Sequence, residues 1–89
     1  MFIPDKIIKQ WQEERNAAVL SLDVNTFRAF YKKYQDLGIY QEPLLATDQI
    51  LEIGLRQMVL GLKNATPEQI ADAKSWLLQR GFSTEPWKN

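Results

Sequence analysis

The chain has 89 residues, of which 45% are hydrophobic, 25% charged and 11% aromatic, and its eleven Lys plus Arg balance eleven Asp plus Glu at zero formal charge. That composition excludes a disordered polar tail, and the charge balance excludes a whole-molecule field drawing the protein to nucleic acid or an anionic membrane. With no His and no Cys, imidazole acid–base chemistry, thiol nucleophiles, disulfides and zinc sites built on those ligands are excluded as well.

A chain this short is expected to form one domain around one core. Its start, Met1-Phe2-Ile3-Pro4-Asp5-Lys6, reaches charge at once and fits no signal-peptide core. The most apolar stretch, Ile50 to Leu62, is interrupted by Glu52, Arg56 and Gln57, too polar for a membrane span. Together with the lack of cysteine, this sets cytoplasmic as the expected location. No internal repeat, low-complexity tract or charge block stands out.

Punctuation and periodicity predict four helices. The first covers about residues 4–21, with proline tolerated at its start because the missing N–H has no helical partner there. Its expected inward face is Ile7, Ile8, Trp11, Ala18 and Leu22. Arg15 lies between Trp11 and Leu22 around that helix, so it either snorkels or ion-pairs with its stem packed on Trp11, or offers its guanidinium to an anion. The second helix, about 24–37, starts after Asp23 or Asn25, each able to cap free amides. Phe27, Phe30, Tyr31 and Tyr34 follow i, i+3, i+4, i+7 and form one aromatic ridge. Gly38 ends it in a left-handed conformation. Pro43 then makes Ile39 to Ala46 a link that is neither helix nor central strand.

Thr47 or Asp48 caps a third helix over about 48–63. It carries two apolar arcs, Leu51, Leu55, Met58, Val59 and Leu62 on one side and Ile50, Ile53 and Leu60 on the other, which places it centrally. Gly54 and Gly61 share nearly one meridian, although each glycine costs about 1 kcal/mol relative to alanine in a helix interior. Either a neighbouring helix approaches there, or the two glycines line a ligand groove. The fourth helix, about 67–80, opens on Thr66-Pro67-Glu68-Gln69, a capping box with proline at N1. It closes at Gly81, with Phe82 placed to fold back toward Leu77 in a Schellman motif. The expected fold is therefore all-α: a compact four-helix domain over residues 1–82, made of two antiparallel helical hairpins with helix three central, followed by a tail at 83–89.

No catalytic residue, cofactor or metal site is expected. Glu13 and Glu14 diverge by about 100° around their helix, and Glu68 with Asp72 belongs to a solvent-facing arc. The four glycines are dispersed, so no phosphate loop, nucleophile elbow or calcium loop exists. A nucleic-acid reading rests on Arg28, Lys32 and Lys33 beside the aromatic ridge. A helix-turn-helix centred on Asn64-Ala65-Thr66 would instead present Glu68 and Asp72 to phosphates, which fails electrostatically. Trp and Tyr concentrate where binding energy concentrates. The aromatics and leucines outside the helical stripes thus make Tyr40, Leu44, Leu45, Phe82 and Trp87 the candidate partner-binding residues, with Trp76 at the rim of helix four.

Glu52-Ile53-Gly54-Leu55-Arg56-Gln57-Met58, Ala73-Lys74-Ser75-Trp76-Leu77 and Arg80-Gly81-Phe82 resemble small uncharacterised helical proteins of prophages and mobile elements in Firmicutes. The resemblance covers the C-terminal half and implies a phage-encoded accessory role, with no activity, cofactor or catalytic residue attached. The leading expectation is a non-enzymatic interaction module that binds a protein partner or its own copy. The alternative is a nucleic-acid-binding accessory protein using the basic face of helix two.

Overall fold

A computed structural model describes residues 3–85. The protein is all-α, with α1 (Asp5–Ser21), α2 (Val24–Asp36), α3 (Asp48–Val59) and α4 (Pro67–Gln79), and no strand among the described residues. The chain divides into two helical units, Met1–Leu45 and Ala46–Asn89. The first contains α1 and α2, the second α3 and α4. Among the described residues no helix is long and apolar enough to cross a membrane.

In the first unit, Pro4 is the N-cap residue of α1, its carbonyl accepting the amides of Ile7 and Ile8 at 3.0 and 3.2 Å. Ala18 and Val19 are the buried residues of α1. The expected inward face is therefore shifted: Val19 replaces Ile8, which is 39% exposed. Leu22 ends the helix at φ 56°, a left-handed cap on a non-glycine residue, a conformation that costs roughly 1–2 kcal/mol for an L side chain. The Asp23 carboxylate then caps α2, accepting the Asn25 amide at 3.4 Å and the Thr26 hydroxyl at 2.6 Å. Thr26, first, and the backbone amides hold that carboxyl below the ordinary aspartate value.

Phe27, Phe30 and Tyr34 are buried on α2, with ring centroids 5.6 and 5.2 Å apart in succession. These are three of the four residues of the ridge its spacing predicts, directed inward to form the unit's core with Ala18 and Val19, while Tyr31 stays half-buried. Gly38 takes φ +89°. The amides of Ile39 and Tyr40 both point at the Tyr34 carbonyl, at 2.9 and 3.4 Å, so the chain turns back over the helix it has just left.

In the second unit, Thr47 caps α3 by accepting the Ile50 amide at 3.2 Å. Leu51, Leu55 and Val59, at i, i+4, i+8, form its buried stripe. The other expected arc is only partly covered: Ile53 and Leu60 are half-buried, and Ile50 is 58% exposed. The helix stops at Val59, four residues before the expected end, because tighter turns take over: Gly61 N–H to Met58 O at 3.0 Å and Leu62 N–H to Val59 O at 3.2 Å. Gly61 thus lies beyond the helix and shares no helical meridian with Gly54. Beyond its chain neighbours and its own helix backbone, a Cβ built on Gly54 would meet no atom of the described residues within 4 Å, so close approach of one of them does not account for that glycine.

The start of α4 carries the full capping box, Thr66 Oγ1 accepting the Gln69 amide at 3.1 Å and Gln69 Oε1 accepting the Thr66 amide at 2.9 Å. Its end is the expected Schellman closure: Phe82 N–H to Leu77 O at 2.9 Å and Gly81 N–H to Leu78 O at 3.1 Å, with Gly81 at φ +78°. Ala73 and Leu77 complete the second unit's core.

Candidate functional site

Tyr40, read from the sequence as a surface residue of the link, is built into the first unit. Its ring stacks on Tyr31 at 4.0 Å and 11°, and meets Phe30 and Trp11 edge-on at 6.2 and 6.3 Å. The Trp11 indole N–H donates to the Tyr40 hydroxyl at 3.0 Å. Burial pushes the Tyr40 hydroxyl above the ordinary tyrosine value, against the Trp11 bond and the Arg15 charge. The Tyr31 hydroxyl donates to the Glu42 carbonyl at 2.7 Å and fastens the link further. In the same unit Leu44 is half-buried, while Leu45 is 84% exposed.

Arg15 lies against Trp11 as expected, but its hydrogen bonds go to a neutral amide and not to a carboxylate. Its Nε and Nη2 donate to Asn16 Oδ1 at 3.3 and 3.2 Å, and its guanidinium lies 4.9 Å from the Trp11 ring centroid. Glu14, expected on a solvated face, is instead the acceptor of a polar cluster. Lys33 Nζ donates to both of its oxygens, at 2.8 and 3.1 Å, and the buried Tyr34 hydroxyl donates to Oε2. Lys33 first, then Tyr34, holds the Glu14 carboxyl below the usual glutamate value. Burial first, then the Glu14 bond and charge, pushes Tyr34 up to about 12. A phenol so held keeps its proton at neutral pH and is no base. Beside this cluster a shallow depression of about 350 Å³ is lined by Ala17, Ala18, Thr26, Ala29 and Phe30, with no second carboxylate among the lining residues for acid–base work.

The same bonds bear on the basic face proposed for nucleic acid. Lys33 is committed to Glu14, Lys32 Nζ stands 3.8 Å from Asp36 Oδ2, and Arg28 is half-buried and engaged. Two of the three cations therefore meet carboxylates of their own unit, which reduces what they offer a phosphate lattice.

The second unit carries a different constellation. Trp76, on the last turn of α4, is half-buried. The guanidiniums of Arg56 and Arg80 each stand 4.1 Å from its ring centroid. The Phe82 ring, 37% exposed, lies near-parallel to the indole at 18° and 6.4 Å. Three pieces of local structure place these groups. The i, i+4 spacing on α4 puts Arg80 one turn beyond Trp76, where its Nη1 donates to the Trp76 carbonyl at 3.1 Å. The Schellman turn at Gly81 brings Phe82 back. Arg56, on α3, donates from Nη1 to the Glu52 carbonyl at 3.0 Å. The helical spacing of Glu52 and Arg56 suggests a side-chain ion pair, but the bond formed is to the main chain.

Neither Arg56 nor Arg80 has a carboxylate within ion-pair distance among the described residues. Burial lowers the Arg56 pKa and the Arg80 charge lowers it further, with Glu52 opposing. Two planar cations with fixed orientation and free N–H groups can receive an anion bidentately. Of the sequence-predicted binding residues, then, Trp76 and Phe82 come together; Leu44, Leu45 and Tyr40 belong to the other unit, and Trp87 lies outside the described residues. Arg56 and Arg80 are not among the sequence-predicted binding residues, although Trp76 and Arg80 at i, i+4 are a readable signal. No group of three or more acidic residues among the described residues could hold a metal ion. Comparisons of the chain with protein-family models, curated proteins and solved structures gave no match.

Proposed function

We propose that this chain is a small helical interaction module that works by binding a protein partner, not by catalysis, and that its recognition surface is the Trp76–Phe82 face of the second unit. The observation that carries this reading is Trp76 with the Arg56 and Arg80 guanidiniums against its ring and Phe82 alongside, the residue types in which interface energy concentrates. Tyr40 supports it indirectly: its ring is engaged in the first unit, which among the described candidate residues leaves Trp76 and Phe82 as the aromatic pair. The setting we infer is that of a cytoplasmic accessory protein of a phage or mobile element, as the C-terminal resemblance implies.

Affinity capture from cells that naturally make the protein, read by mass spectrometry, tests the proposal. A partner captured by the native chain and lost with Trp76→Ala/Phe82→Ala, but retained with Leu45→Ala, is the expected result. A partner captured equally by all three chains refutes the assignment of the surface.

A further inference from the structure

We propose that the Arg56–Trp76–Arg80 cluster is a carboxylate-binding site, and that its occupant is an acidic peptide segment of the partner. The inference rests on the interaction-module reading and adds the chemistry of what is bound. Both guanidiniums stand 4.1 Å from one ring centroid, so their separation cannot exceed the sum of those two distances. Two like charges this close repel, and the indole that both of them meet attracts each without neutralising either. In the free chain each guanidinium satisfies one N–H on a main-chain carbonyl, which leaves further donors of both directed elsewhere. A carboxylate bridging the two relieves the repulsion and gains charge-assisted hydrogen bonds.

The same geometry discriminates among anions. A single-stranded nucleic acid binds by stacking bases on exposed aromatic faces. Here guanidiniums stand against Trp76 and the Phe82 ring lies near-parallel to it. The chain as a whole carries zero net charge, so it lacks the field that a polyphosphate rewards. An aspartate or glutamate in a peptide needs only the two arginines, and an apolar neighbour in that peptide can rest on Phe82, which is 37% exposed.

The test is selection of random octapeptides displayed on phage against the immobilised full chain. Anisotropy titration of the most enriched peptide and of a twenty-residue thymidine oligonucleotide follows. Selected peptides enriched in Asp and Glu, an enrichment abolished by Arg56→Gln/Arg80→Gln and retained by Lys32→Gln/Lys33→Gln, support the site. Each single Arg→Gln change should then weaken the enriched peptide about tenfold, the effect of losing a charge-assisted hydrogen bond. Far-UV circular dichroism establishes that the variants keep their helices. Peptides without acidic enrichment, acidic enrichment that survives the double arginine change, or tighter binding of the oligonucleotide at this cluster would each overturn it. Apolar peptides lost with Trp76→Ala but indifferent to the arginines would overturn the carboxylate inference while leaving the protein-binding reading intact. A selection that enriches nothing counts against both.

Discussion

Replacing Tyr34 by Phe isolates one hydroxyl in the first unit. The ring is buried at 0% exposure and Phe fills the same volume, so no cavity opens. The change removes the bond to Glu14. Hydrogen bonds to charged groups contribute about 1.5–3 kcal/mol. Glu14 keeps Lys33 at 2.8 and 3.1 Å, and its side chain is 39% exposed, so water can reach the freed lone pair and the loss belongs at the lower end, about 1.5 kcal/mol. Urea unfolding followed through amide resonances of α1 and α2 reads it, with Tyr31→Phe as the control. That hydroxyl bonds a neutral, exposed carbonyl and should contribute about 0.5 kcal/mol.

The pH dependence supplies a second readout. Tyr34 is raised from 10.0 to about 12 in the folded protein, so its stabilising contribution is complete below pH 10 and falls away as pH rises toward 12. The Phe variant should lack that alkaline decline. Glu14 is depressed, so its contribution is complete above the ordinary glutamate value and is lost as pH falls through the folded one; the variant should lose less there. A Tyr34→Phe protein within about 0.3 kcal/mol of the native one, or a Tyr31→Phe change costing as much, would refute the reasoning.

Gly54→Ala should raise stability by about 0.5–1 kcal/mol in thermal unfolding, since the new Cβ meets nothing within 4 Å; destabilisation would restore the packing explanation. Thr66→Ala should cost about 1 kcal/mol and speed amide exchange in the first turn of α4, because it removes one half of a capping box. Leu77→Ala, at a fully buried position, should cost about 2–5 kcal/mol in urea unfolding. A smaller loss would mean that the second unit's core collapses around the gap.

Local chemistry was the most legible part of the chain. Thr66, Gln69 and Gly81 act through neighbours three to five positions away, so their roles at the ends of α4 follow from residue type and spacing. The buried ridge of α2 was legible for the same reason, because period alone sets which face Phe27, Phe30 and Tyr34 share. The role of Glu14 is not legible because its partners Lys33 and Tyr34 lie on another helix, and the rotation of α1 that brings them together is fixed by tertiary packing. That rotation also places Val19 inside and Ile8 outside. The apolar pattern of α3 continues to Leu62 and so overstates the helix, because Gly61 and Asn64 are weak helix formers and the turns at Leu60–Lys63 prevail. At the candidate site, Trp76 and Phe82 were visible as surplus aromatics. The role of Arg56 was not, since it depends on its guanidinium reaching an indole on a different helix.

A carboxylate held by Arg56 and Arg80 must be felt at those side chains and at Trp76. Arginine Nε–H and tryptophan indole N–H resonances of the full chain, followed as the selected acidic peptide is added, give that location. Saturable shifts at Arg56, Arg80 and Trp76, with Arg15 and Trp11 unmoved, are the predicted result. Shifts confined to Arg15 and Trp11 would place recognition in the first unit and contradict it.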